Sequence, residues 1–147
     1  MSEENVQLVR KLLEMFDHRQ HEAVFRYYDP EIEWIASSSP FQQEEAGFDD
    51  LAGDYHGHDG VRAYWRTWLQ AWSDLEFEVE DVLDGGDDVV ALIRNQRMWG
   101  RHSGITVEMP PFGLVFTIRD GRVVRWQSFT DQRSALEAAG IKQDSGT

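Results

Sequence analysis

Residues 99–113 read WGRHSGITVEMPPFG, with Gly100, His102 and Gly104 at every second position and Pro110-Pro111 just before Gly113. Asp120-Gly121 and Asp131 follow at intervals that fit turns between strands. Working outward, four strands are expected: Glu76 to Leu83, Val89 to Gly100, Thr106 to Ile118 and Arg122 to Phe129. In the first, Leu75, Phe77 and Val79 alternate with Glu76, Glu78 and Glu80, which gives one dry and one wet face. The sequences Asp84-Gly85-Gly86-Asp87 and Arg119-Asp120-Gly121 have hairpin composition, glycine supplying positive backbone angles, so these strands pair antiparallel.

Helical periodicity precedes the strands. Val6, Val9, Leu13 and Phe16 mark a first amphipathic helix behind a Ser2 or Asn5 cap, with Glu3 and Glu4 favouring its N-terminal dipole. A shorter helix over Glu22 to Tyr28 must stop at Asp29, because Pro30 disfavours helical geometry in the residue before it. Ile32, Trp34 and Ala36 then mark a short strand. The polar segment Ser37 to Gly57 is longer than a usual connection and is expected to form a lid. From Asp59 to Trp72, Val61, Tyr64, Trp65, Trp68, Leu69 and Trp72 make a wide aromatic stripe on a third helix. Last, Asp131 caps a short helix with Ala135, Leu136 and Ala139, closed by Gly140 and Ile141.

The chain has 147 residues, the size of one domain, and 12% of them are aromatic, too many for a disordered segment. One domain over residues 1–142 is expected, with 143–147 as a loose tail. Residues 1 to 88 hold 22 Asp and Glu against 6 Lys and Arg, whereas residues 89 to 147 hold 5 against 8. A net charge of −13 repels phosphate backbones and anionic lipid, so neither nucleic acid nor a membrane surface is an expected partner. Cysteine is absent, which excludes disulfides, thiolate metal sites and cysteine nucleophiles. No 18-residue apolar run and no signal peptide occur, so the expected location is cytoplasmic. No metal motif is present, and no cofactor is expected.

The order of these signals resembles the SnoaL-like, polyketide-cyclase-like branch of the NTF2-like superfamily. The resemblance runs from Val6 to Gly140 and includes Asp29-Pro30-x-Ile32-x-Trp34, Tyr55-x-Gly57-x-x-Gly60-Val61 and Gly100-x-His102-x-Gly104. It implies an α+β cone: a strongly curved, mostly antiparallel sheet covered on its concave face by three helices, in the order α-α-β-α-β-β-β-β plus a short C-terminal helix. It also implies a homodimer through the outer sheet face. Val90, Leu92 and Met98 against Val89, Ala91 and Ile93 leave apolar residues on both sides of one strand, as such an interface requires.

The resemblance makes Asp131 a general acid and base and His102 its pocket-lining companion, a pair that suits enolisation of a ketone without metal or cofactor. Two other roles stand beside these. Asp131 is a good helix cap, which holds its carboxylate acidic, and His102 fits a solvent-exposed hairpin tip. His56 and His58 flank Gly57 and read as loop histidines. Ketosteroid isomerase chemistry lacks support, since Phe16 is the first helix's only aromatic residue.

Alternation places Arg125, Gln127, Phe129 and Asp131 on one face of the last strand, and Phe112, Leu114, Phe116 and Ile118 on one face of the strand before it. If these faces line the hollow, the pocket is apolar with a few polar groups and suits a small hydrophobic, aromatic or steroid-like ligand. Asn95, Arg97 and Trp99 extend it, unless the opposite set, Arg94, Gln96 and Met98, does so. The expected ligand-binding residues are therefore Trp34, Trp65, Trp68, Asn95, Trp99, Leu114, Phe116, Gln127 and Phe129. Three functions fit: a cofactor-free isomerase or cyclase, a binding module for a hydrophobic ligand, and a dimerising structural domain.

Overall fold

A computed structural model describes residues 2–17, 22–36 and 54–141. Helix α1 (Ser2–Asp17) and a single 3-10 turn (Ala23–Tyr27) lead into strand β1 (Tyr28–Ile35). Strand β2 (Asp54–His56) precedes helix α2 (Gly57–Ala71), and strands β3 (Trp72–Asp84), β4 (Asp88–Gly100), β5 (Thr106–Met109), β6 (Phe112–Arg119) and β7 (Arg122–Phe129) follow in series. Helix α3 (Gln132–Ala138) ends the described chain.

The strands form one curved sheet in the order β2-β1-β7-β6-β4-β3, with β5 also paired to β4. All pairs are antiparallel except β1 with β7, where Trp34 lies beside Trp126. The expected strand over Thr106 to Ile118 is two strands, because Pro110 and Pro111 have no amide hydrogen to offer the ladder. Part of the expected Ser37 to Gly57 loop is ordered as β2, which pairs with the end of β1. The rest of the Ser37 to Gly57 segment expected as a lid, residues 37–53, and the expected tail over 143–147 lie outside the described residues.

One apolar layer joins α1, α2 and the inner sheet face. Val9, Leu12 and Leu13 from α1 and Val61, Tyr64 and Trp68 from α2 are buried there with Ile32, Trp34, Ala91, Ile93, Phe112, Phe116 and Val123. A second, smaller layer lies on the other side of the sheet, where α3 presses Ala135 and Leu136 onto Val90, Leu92 and Val115. This layer accounts for the apolar residues on both faces of β4. Val90 and Leu92 are covered by α3 of the same chain, and Met98 is fully buried in the inner layer. Beyond α3 the outer face is charged, with Arg94 paired to Glu78 at 2.8 Å and Arg97 to Glu108 at 2.8 Å.

Helix α3 is fastened at both ends. The Asp131 carboxylate accepts the Ser134 amide at 2.7 Å. At the other end Ile141 N–H donates to Leu136 O and Gly140 N–H to Glu137 O, the paired bonds of a Schellman closure, with Gly140 at φ +73°. Its approach to the sheet depends on Gly113, where a Cβ would stand 2.5 Å from Ala135 Cβ. Among the described residues no helix is long and apolar enough to cross a membrane.

Candidate functional site

The inner layer is not solid. A cavity is lined by Leu12, Leu13 and Phe16 of α1, Tyr64, Trp65 and Trp68 of α2, Tyr28 and Trp34 of β1, and inward residues of β3, β4, β6 and β7. The centres of water-sized molecules have about 70 Å³ available to them. One water needs roughly 10–15 Å³ on that measure, so the space suits a handful of waters or one aromatic ring with a short substituent. Its wall is an aromatic network: Trp34 stacks on Trp126 with centroids 3.9 Å apart and planes at 9°, and Trp65 meets Phe16, Tyr64 and Trp68 at 4.7, 4.9 and 5.7 Å. Such stacked and edge-on pairs each contribute about 0.5–1.5 kcal/mol beyond simple burial, so the wall is stiff.

Register decides which strand residues reach this space. Leu114 and Phe116 do, and their cross-strand partners on β7 are Ser128 and Trp126, which therefore face the same way. Gln127 and Phe129 point to the other side: Gln127 opposes Val115, and Phe129 packs into the layer beneath α3. On β4 a bulge intervenes. Glu78 pairs with Asn95 but Val79 with Ile93, which leaves Arg94 as an extra residue and reverses the alternation. Ile93 and Gln96 consequently both line the cavity, while Asn95 lies with Arg97, Glu76 and Glu78 in a polar groove on the outer face. Trp99, two residues beyond Arg97 on β4, is half-buried outside the cavity wall. Of the nine expected ligand contacts, Trp34, Trp65, Trp68, Leu114 and Phe116 converge on the cavity, and Asn95, Trp99, Gln127 and Phe129 do not.

Asp131 and His102 stand apart from the cavity and from each other. Asp131 is exposed, and the Ser134 amide above all, then the Ser134 and Thr130 hydroxyls, hold its carboxyl below the usual aspartate range. Gln132, the next residue, donates to Ile93 O at 3.2 Å, which pins the start of α3 beside Ile93. His102 sits in the exposed turn beyond Gly100, seven residues further along β4, or about 20 Å of extended strand.

The Gly100 to Gly104 segment has a different local purpose. Gly100 and Gly104 close the β4–β5 hairpin through Gly100 N–H to Ile105 O and Gly104 N–H to Gly100 O. Arg101 then reaches the carbonyls of Leu69 at 2.7 Å and Trp72 at 3.5 Å, satisfying the C-terminal end of α2. His58 is likewise structural: its Nε2 meets Tyr28 O at 2.9 Å and its ring stands edge-on to Phe25. His56 makes a surface contact of 3.3 Å with Glu31.

Polar groups in the cavity wall are few: the hydroxyls of Tyr28, Tyr64 and Ser128, the amide of Gln96 and indole nitrogens. Burial pushes the Tyr28 and Tyr64 hydroxyls well above the ordinary tyrosine range, with the neighbouring Tyr55 adding to the effect on Tyr64, so both stay protonated. No carboxylate, imidazole or amine is found among the described lining residues. Periodicity on α1 and α2 could have indicated Leu12, Leu13 and Tyr64. Trp126, Ser128 and Gln96 required the register and the bulge.

The SnoaL-like domain family matches residues 9–126. The chain belongs to that family. Solved structures agree on the fold of this SnoaL-like domain. An NTF2-like protein of unknown function from Burkholderia pseudomallei K96243 is 25% identical, with a TM-score of 0.73 over 93% of this chain and 97% of that one. TerC, crystallised with polyporic acid, is 20% identical, with a TM-score of 0.71 over 93% and 98%. An NTF2-like protein from Burkholderia thailandensis E264 is 23% identical, with a TM-score of 0.69 over 93% and 97%. No curated protein matches the SnoaL-like chain.

Proposed function

We propose that this SnoaL-like domain is a binding module that encloses one small aromatic molecule in the cavity between α1, α2 and the sheet. The observation that carries the reading is the chemistry of the wall: aromatic and aliphatic on every side, with neutral hydroxyls and amides and no ionisable base among the described lining residues. Enolisation of a ketone needs a proton acceptor near neutral pH within hydrogen-bond reach of the substrate. Asp131 is engaged with helix amides and His102 lies at a hairpin tip, so neither supplies one there. Binding needs only apolar area and shape, which Trp34, Trp65, Trp68 and Phe116 provide. For a ring buried in full, about 25 cal/mol per Å² of apolar surface is available before the cost of immobilisation.

The test is calorimetric titration with single-ring aromatics against the wild type and Leu114→Trp, whose larger side chain fills the space. The expected outcome is saturable 1:1 binding to the wild type, weakened at least tenfold in the variant while its thermal midpoint stays within a few degrees. Equal binding to both proteins would place the ligand elsewhere, and the reading would fail.

A further inference from the structure

In the cavity wall, the indole Nε1 of Trp34 and the Oγ of Ser128 have no hydrogen-bond partner among the described residues. Both side chains are 1% exposed, so neither atom is compensated by bulk solvent. A buried donor or hydroxyl left unmade costs about 1–3 kcal/mol, and an apolar side chain of similar shape at position 128 would avoid that cost. The two atoms belong to one region of the wall. Trp34 pairs with Trp126 across the parallel β1–β7 ladder, and Ser128 follows Trp126 on the same face of β7.

From this we infer that Trp34 Nε1 and Ser128 Oγ form a two-donor seat for a single carbonyl oxygen, so that the preferred occupant is an aryl ketone or a related conjugated carbonyl compound. The inference rests on the apolar-cavity reading above and adds the polar end of the ligand. The indole N–H is a donor only, and the hydroxyl hydrogen rotates to suit its partner. A carbonyl oxygen has two lone pairs and accepts from both at once, whereas a ligand presenting an N–H would confront the indole donor. The neighbouring Tyr28 and Tyr64 hydroxyls, kept neutral by burial, preserve a wall in which no negative charge repels that oxygen.

Acetophenone and ethylbenzene test this, because they share a shape and differ by a carbonyl in place of a methylene. Calorimetric dissociation constants for both are measured with the wild type and Ser128→Ala, and the carbonyl resonance of [13C]acetophenone is followed by NMR on binding. The acetophenone-to-ethylbenzene preference is expected to fall about three- to tenfold in Ser128→Ala, the size of one hydrogen bond. The bound carbonyl resonance is expected downfield of its position in hydrocarbon solvent, and less so in the variant. Ser128→Ala is also expected to unfold at a higher temperature than the wild type, since it removes an unpartnered buried hydroxyl.

Trp34→Phe, which keeps a ring against Trp126 but has no N–H, is expected to lower the same preference. If both compounds bind but the preference and the resonance are the same in wild type and variants, water alone satisfies the pair and the carbonyl seat is overturned while the cavity reading stands. If neither compound binds the wild type, both fail together.

Discussion

Asp131 shows how one residue type in one position can serve two chemistries that exclude each other. A carboxylate that accepts the Ser134 amide is stabilised as an anion, which lowers its proton affinity and removes it from service as a base near neutral pH. Its folded-state pKa is depressed, so the cap's contribution is fully present above the ordinary aspartate range and is lost as pH falls through the lower folded value. Urea titrations should therefore show Asp131→Ala less stable than wild type by about 1 kcal/mol at pH 7, with the gap narrowing in acid. Asp131→Asn, which still caps, should lie close to wild type at pH 7. Both possible roles of Asp131 were legible in the sequence, because a helix-like pattern of Ala135, Leu136 and Ala139 follows it directly. The choice between them depends on where the carboxylate points, which no spacing encodes.

Among the elements, α3 is the one whose placement changes the reading of the whole sheet. Sequence shows a capped helix with a glycine closure and shows apolar residues on both faces of β4, but it does not show that the first covers the second. The link is Gly113, the one residue of β6 beneath Ala135 that leaves room for the helix. Gly113→Ala should cost on the order of 1–3 kcal/mol in denaturant titrations, because the added methyl and Ala135 cannot occupy the same space. Ala135→Gly in the same chain should restore part of that loss despite the poorer helix propensity of glycine. A double-mutant cycle would then give a coupling of opposite sign to the single losses. Additive effects would mean that α3 does not rest on Gly113.

The strands were legible as a run because turns and alternation survive in the sequence. Their inward sets were legible only where the alternation is unbroken, as in Phe112, Leu114 and Phe116. The extra residue Arg94 in β4 leaves no mark on composition, and it exchanges Asn95 for Gln96 as a wall residue. On β7 the set expected inward was the one containing Gln127, whereas the set containing Trp126 faces the cavity. Pairing of Leu114 with Ser128 decides between them, and pairing is a property of two strands rather than one.

For the molecule as a whole, the aromatic wall couples the cavity to global stability. Tyr28 and Tyr64 keep their protons in the folded state at pH values where an exposed tyrosine has lost its own. Their folded pKa values are raised, so the stability they contribute is complete below about pH 10 and declines as pH rises above it, since unfolding then releases protons. Absorbance of the phenolate should thus report these two residues in one cooperative step, coincident with loss of the far-ultraviolet circular dichroism of the helices. Their gradual titration with the helices intact would show that the cavity admits solvent freely.

The Trp34–Trp126 stack joins the first quarter of the chain to the last, across the parallel pairing of β1 with β7. A ribosome delivers β1 long before β7, and until β7 emerges one edge of β1 and the face of Trp34 have no permanent neighbour. The cavity is therefore completed late in synthesis, with only α3 and the layer beneath it still to follow. Until then the nascent chain exposes the aromatic surface that the finished protein keeps inside, the kind of surface through which incomplete chains aggregate.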